Sequence, residues 1–219
     1  PEVEVKQITP QQETFAGYPV PLTGGDNRTL TNVSYNDIAG NLFENDIIKL
    51  GEKSITTGYP DGGFHPLESI ERGAMAAYLY RLAGSPEFEA PAESPFSDVP
   101  TTHPFYKEIA WLKATGITTG WEDGTFRPED SINREAMAAF FYRAAGSPEV
   151  QQKATFTDVS GSPFAKEISW FQFSKLSTGW PDSTFRPHDS VKRDAMAAYM
   201  MRYMGNFDSV KVSVPEPAK

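Results

Sequence analysis

Three arginines stand at equivalent points of the chain, Arg72, Arg134 and Arg193, each two residues ahead of an Ala-Met-Ala-Ala tetrapeptide at 74–77, 136–139 or 195–198. A guanidinium is a planar fork of N–H donors that can hold a carboxylate through two parallel hydrogen bonds, so the set offers three contacts for an anion. Each arginine is preceded by a Thr-Gly-aromatic step, Thr57-Gly58-Tyr59, Thr119-Gly120-Trp121 or Thr178-Gly179-Trp180, and then by Asp61, Asp123 or Asp182. A ring after a glycine in a loop can lie against the C–H face of a sugar while the glycine lets the backbone approach. Each motif also has a purely structural reading. The arginines can pair with neighbouring acids to tie the loops down, the rings can pack, and the aspartates can bond the backbone two residues on in a turn.

Catalytic chemistry finds little support. The chain has no cysteine, and His65, His103 and His188 are too scattered for a metal site. Asp123-Gly124 lacks the alternating acids and closing glutamate of a calcium loop, and no Ser/His/Asp order or phosphate loop recurs. A hydrolase concentrates one asymmetric constellation, whereas the distinctive residues here are triplicated, which suits multivalent binding to a polymer. A binding module with no cofactor, metal or catalytic group is therefore expected.

The elements that position these residues repeat at offsets of 62 and 59 residues. Every unit opens with an aromatic-x-Asp-aliphatic step, Tyr35–Ile38, Phe96–Val99 or Phe156–Val159. A first helix follows, because Phe43, Ile47 and Leu50, Phe105, Ile109 and Leu112, and Phe164, Ile168 and Phe171 fall at i, i+4, i+7 and place one apolar stripe toward a core. Ser162-Pro163 supplies a cap and a first-turn proline, with His103-Pro104 and Asn41-Leu42 in the matching places. A second helix carries the stripes of Met75, Met137 and Met196 and is expected to stop at Gly84, Gly146 or Gly205. Phe64, Phe126 and Phe185 read as plugs that seat the loop on the helices, and Trp111 and Trp170 as packing between repeats.

Units of about 60 residues bury little alone, and stacking is the physical remedy. The fold class is thus all-α, three tandem helix-loop-helix repeats forming a compact pseudo-three-fold bundle, with the first helices at its centre. Repeats are placed at 33–86, 95–148 and 155–205, joined by Pro-, Glu- and Gln-containing linkers. Residues 1–32 read as leader or linker with at most one strand at Val3 and Val5, and 206–219 as a tail whose alternating valines can pair with it. The start Pro1-Glu2-Val3-Glu4, without Met or signal peptide, reads as that of a processed or excised piece. With 29 acidic against 20 basic residues the net charge of −9 repels a phosphate backbone and argues against nucleic acid. No apolar run is long enough for membrane insertion.

The string Gly116-Ile-Thr-Thr-Gly-Trp-Glu-Asp-Gly-Thr-Phe-Arg-Pro128, with Phe96-Ser-Asp-Val99 before it and Ile132-Asn-Arg-Glu-Ala-Met137 after it, resembles the S-layer homology repeat, and the resemblance covers residues 35–205 in three copies. It implies a cell-surface anchoring module of a bacterium, extracellular, whose inter-repeat grooves hold secondary cell-wall polysaccharide through pyruvate-capped sugars. The ligand residues it implies are Arg72, Gly120, Trp121, Asp123, Arg134, Gly179, Trp180 and Arg193. A protein-interaction or adhesin role, or self-assembly, is the alternative. The family's Thr-Arg-Ala-Glu signature is kept at the arginines, but its glutamate position holds Ala74, Ala136 and Ala195, so the reciprocal capping bond is lost and Asn133 is the one good cap. Glu71 and Lys192 occupy the corresponding places. Repeat 1 has Gly63 and His65 where repeat 2 has Thr125 and Arg127, and repeat 3 has Ser183 for Gly124. Unequal sites are expected, the best lying between repeats 1 and 2, where Arg72 would meet Gly120, Trp121 and Asp123.

Overall fold

The computed structural model describes residues 14–15, 18–19, 33–207, 210–211 and 214–215. Its helices are α1 Glu44–Glu52, α2 Arg72–Leu82, α3 Tyr106–Ala114, α4 Arg134–Ala144, α5 Ala165–Phe173 and α6 Arg193–Phe207, two per repeat as the periodicity requires. A short antiparallel pair, β1 Thr14–Phe15 with β2 Tyr18–Pro19, precedes them. The expected strand at Val3 and Val5 lies outside the described residues. In the C-terminal tail, the Lys211 N–H donates to the Ala144 carbonyl at 2.7 Å, which lays that part of the tail against the end of α4.

The extensive helix contacts run between repeats and not within them. The packed pairs are α2 with α3, α4 with α5 and α6 with α1, so each second helix leans on the first helix of the following repeat and the third repeat returns to the first. Periodicity identifies the apolar face of a helix but not the helix it meets. Trp111 on α3 meets Tyr80 on α2 edge-on at 5.4 Å, and Trp170 on α5 meets Tyr142 on α4 at 5.6 Å, the inter-repeat packing expected of both indoles.

The three-fold relation closes on the segments ahead of the second helices, which corrects the expectation that the first helices form the centre. Ile70 N–H donates to the Val191 carbonyl at 2.8 Å, Val191 N–H to Ile132 at 3.0 Å, and Ile132 N–H to Ile70 at 3.0 Å, a cyclic triad of backbone bonds. All three side chains are buried. Ile47, Phe105, Ile109 and Ile168 are buried as predicted, as are Met75, Met137 and Met196, whereas Phe43 and Phe164 are only half-buried.

The helix ends show how far local chemistry decides. Asn41 Oδ1, His103 Nδ1 and Ser162 Oγ each accept the N–H two residues on, from Phe43, Phe105 and Phe164, so three different side chains make the same turn ahead of the first helices. Asn133 caps α4 by accepting from Ala136 N–H at 2.9 Å, while Glu71 makes no such bond. Gly84 and Gly146 follow α2 and α4 with φ of +87° and +84°. Gly205 does not end α6, contrary to expectation. A glycine inside a helix costs about 0.5–1 kcal/mol, and the extra turn is offset by Phe207, whose ring meets Tyr203 at 5.0 Å and Trp170 at 5.4 Å.

Candidate ligand-binding grooves

Between its two helices each repeat folds the same loop, which an aspartate from the start of the repeat holds in shape. Asp98 accepts the N–H groups of Phe126 and Arg127 at 2.8 and 2.7 Å; Asp37 does the same for Phe64 and His65, and Asp158 for Phe185 and Arg186. The second residue of each pair is left-handed, with φ of +58° at His65, +59° at Arg127 and +57° at Arg186. A non-glycine residue there costs roughly 1 kcal/mol or more, and the two charge-assisted bonds offset it. The aromatic-x-Asp-aliphatic step made these aspartates visible as a repeat, but their role needed a contact spanning 27 to 29 residues.

Asp61, Asp123 and Asp182 are turn formers. Asp123 accepts from Thr125 N–H at 3.0 Å and from the Thr125 hydroxyl, Asp182 does likewise with Thr184, and Asp61 accepts from Gly63 N–H at 2.8 Å. The Thr125 hydroxyl, followed by Arg127, holds the Asp123 carboxyl down at about 2. Gly120 and Gly179 have φ of +73° and +72°, and a Cβ at either would fall 2.3 Å from a ring carbon of Phe96 or Phe156. Packing alone therefore requires glycine at these two positions.

The arginines reach across the seams between repeats. Arg72 Nε donates to the Phe126 carbonyl at 2.8 Å, Arg134 Nε to Phe185 at 2.6 Å, and Arg193 Nε to Phe64 at 2.8 Å. Each guanidinium also lies over the ring of that phenylalanine, at 4.8, 4.5 and 4.7 Å. Among the described residues none of the three has a carboxylate within 4 Å. The pairing with neighbouring acids allowed by the sequence is thus replaced by a bond to a neutral carbonyl, which fixes the side chain and leaves it without a direct carboxylate partner. Burial pushes the Arg72 guanidinium down to about 10.

The structure brings Arg72 to Trp121, 5.7 Å from the indole centroid, in the seam between repeats 1 and 2. Trp121 and Trp180 are 45 % and 42 % exposed, and Arg127 and Arg186 cover one face of each at 4.0 Å. Sequence reasoning passed over these two covering arginines, although their places in the repeated Phe-x-Pro step were plain. Arg134 has a different neighbour, donating through Nη1 to the Tyr199 hydroxyl at 2.7 Å.

The start of a helix can attract an anion through its unpaired N–H groups and positive dipole end. The first N–H groups of the second helices are not free for an anion. Arg72 and Gly73 donate to Asp130 and Pro128, Arg134 and Glu135 to Asp189 and Pro187, and Arg193 and Asp194 to Glu68 and Pro66. The next repeat thereby satisfies helix-end donors that would otherwise need caps or solvent.

Among the described residues no helix is long and apolar enough to cross a membrane, and no group of three or more His, Asp or Glu could hold a metal ion. The S-layer homology domain matches residues 34–76, 95–138 and 155–197. The chain is 32 % identical over 157 residues to cell surface glycoprotein 1 of Acetivibrio thermocellus, a match covering 66 % of this chain and 7 % of that protein. It is 31 % identical over 152 residues to the cellulosome-anchoring protein of the same organism, covering 66 % and 34 %. To the S-layer protein EA1 of Bacillus anthracis it is 32 % identical over 198 residues, covering 85 % and 23 %. The chain thus spans about a third or less of the length of these relatives. The triplicated loop, the cyclic closure and these matches lead to one assignment: the chain belongs to the S-layer homology family and is an extracellular, cell-surface anchoring module of three repeats.

Proposed function

We propose that this module is non-catalytic and attaches an exported bacterial protein to its cell wall by binding secondary cell-wall polysaccharide in the grooves between repeats, through sugars made anionic by pyruvate. The observation that carries the reading is the pair of buried guanidinium groups, Arg72 and Arg134, held across a seam with no carboxylate within 4 Å among the described residues. A fixed cation without a direct carboxylate partner at the edge of a groove favours a carboxylate arriving from outside. Arg72 with Gly120, Trp121 and Asp123 forms the site between repeats 1 and 2, and Arg134 with Gly179 and Trp180 that between repeats 2 and 3. Arg193 is the corresponding residue of the third seam. The repeats at 33–86, 95–148 and 155–205 are the units, with 1–32 and 206–219 as flanking leader and tail.

In the first site the carboxylate bonds the Arg72 terminal nitrogens, while the sugar ring lies on the exposed part of Trp121. Asp123 contributes indirectly by holding Arg127 in place, since its carboxylate meets Arg127 Nη2 at 3.0 Å. Calorimetry with purified, protein-free wall polymer tests this. A hydrogen bond to a charged group is worth roughly 1.5–3 kcal/mol, so Arg72→Ala weakens binding about tenfold to a hundredfold while circular dichroism stays native. Arg72→Lys recovers only part of the loss, because an ammonium has no bidentate fork. Unchanged affinity in folded Arg72→Ala and Arg134→Ala would remove the arginines from the site. Failure of the wild-type chain to be retained on the polymer would favour the protein-interaction reading.

A further inference from the structure

The three seams share one plan, and the seam between repeats 3 and 1 departs from it at the outer face. Repeat 1 replaces both members of the indole–guanidinium stack, with Tyr59 for tryptophan and His65 for arginine. The imidazole lies flat on the phenol ring, with centroids 3.9 Å and planes 4° apart. Asp37 grips the His65 backbone as Asp98 grips that of Arg127, so the ring is delivered to the same place in the loop. Its Nε2 reaches Asp61 Oδ2 at 2.7 Å and its Nδ1 reaches Glu68 Oε1 at 3.3 Å.

Beneath this stack lies Arg193. Tyr59 covers the guanidinium at 4.7 Å and is only 9 % exposed, against 45 % for Trp121. Arg193 is 1 % exposed, and its Nη2 is buried without an acceptor. The hydroxyls of Tyr35 and Thr57, both in repeat 1, are sealed without partners as well. A buried cationic donor with an unused N–H is costly unless an acceptor reaches it. The seam therefore has the chemistry of a carboxylate site and a cover that keeps carboxylates out.

We propose that the seam between repeats 3 and 1 is a latent third anion site, with Arg193 as its cation, closed by Tyr59 and latched by His65 between Asp61 and Glu68. For its ligand, a sugar-borne carboxylate, it rests on the reading given above for the other seams; the latch rests on its own contacts. Both imidazole nitrogens face carboxylate oxygens, so the complete latch is an imidazolium. Once a proton leaves, one ring lone pair confronts a carboxylate. Around His65 stand Asp61, Glu68 and Asp37 from repeat 1 and Tyr59 beneath the ring, and Arg193 of α6 lies against that same Tyr59 ring at 4.7 Å. Burial works against the charged ring, and Asp61 and Glu68 outweigh it, so the His65 pKa stands above its ordinary value. The sign follows: the latch is complete below the ordinary histidine pKa of about 6.5 and is lost as pH rises through the higher folded value. Arg127 and Arg186 stand at the same place in the other loops.

The test combines hydrogen exchange of residues 57–65 with calorimetric stoichiometry for a methyl hexopyranoside bearing a 4,6-pyruvate ketal. In wild type, exchange corrected for intrinsic rate rises between about pH 6 and 9 in 57–65 and stays flat in 119–127. At pH 6, His65→Ala exchanges at least about tenfold faster in that loop and binds one more ketal than wild type. His65→Arg restores the pattern of the other repeats and abolishes the pH response. The added site disappears in His65→Ala/Arg193→Lys, with thermal melts confirming that each variant is folded. A loop indifferent both to pH and to His65→Ala overturns the latch. A looser loop with no added site overturns the latent site while leaving binding at the other seams intact. Absence of ketal binding at every seam in wild type and His65→Ala alike overturns the carboxylate reading itself, and with it the ligand named here.

Discussion

Arg72 and Arg193 occupy equivalent places and give Nε to equivalent carbonyls at the same 2.8 Å, yet the aromatic above Arg72 is 45 % exposed and that above Arg193 is 9 %. Around Arg193 the rings are Tyr59, Phe64 and Tyr78; around Arg72 they are Trp121, Phe126 and Phe140. Tyr78 can donate its hydroxyl to Thr56 at 3.0 Å, a bond that Phe140 cannot make. The seam between repeats 3 and 1 is thereby knitted shut by hydroxyls and a histidine, while that between repeats 1 and 2 keeps an open indole shelf. A signature arginine does not by itself mark a ligand site. The residues that lie over it decide whether its charge serves binding or stability.

The largest consequence of that contrast is in stability. Arg193→Ala removes a buried charged hydrogen bond and its ring contacts and leaves a cavity, a loss of about 3 kcal/mol in urea denaturation, whereas Arg72→Ala, whose neighbouring ring is open to water, loses about half as much. Equal losses would break the comparison. The covering rings should differ in the same sense. Tyr59→Ala costs about 2 kcal/mol and Trp121→Ala about 1 kcal/mol or less, with Trp121→Ala lowering polymer affinity and Tyr59→Ala not. A smaller effect tests the ring of backbone bonds at the centre. Burial first, and then Glu129, pushes Glu71 up to about 7. An acid whose folded pKa is raised destabilises the fold as it ionises, so stability falls as pH rises from about 4.5 through 7. Because Glu71 is only partly buried, solvent screening reduces the effect, and Glu71→Gln should gain about 1 kcal/mol at pH 8 and almost nothing at pH 4. A gain that is the same at both pH values would mean that the carboxylate charge is not the cause.

Much of this was legible from residue order. The repeat period, the buried methionines, the plugging phenylalanines, the two packing tryptophans and the approach of Arg72 to the next repeat's Trp121 follow from patterns that side chains carry. What escaped rests on the backbone or on distance. The triad of Ile70, Ile132 and Val191 is made of main-chain bonds that any β-branched or aliphatic residue could provide. The partner of each helix is fixed by closure of the whole ring, not by its own stripe. The acceptors of the helix-start donors, such as the Pro128 and Asp130 carbonyls, belong to a segment more than 50 residues away, which no local pattern reveals. Gly205 reads as a stop until Phe207 is seen to need the extra turn.

The return of repeat 3 onto repeat 1 fixes the arithmetic of the architecture. An open stack of repeats has two ends and accepts another unit at either, whereas here the last helix already covers the first and no end is left to extend. A fourth copy in the same chain would find no seam to enter, and loss of one copy would strip two seams at once. Changes in copy number are therefore tolerated in threes, and a longer array built from these units would be a string of separate closed rings, each with its own set of grooves.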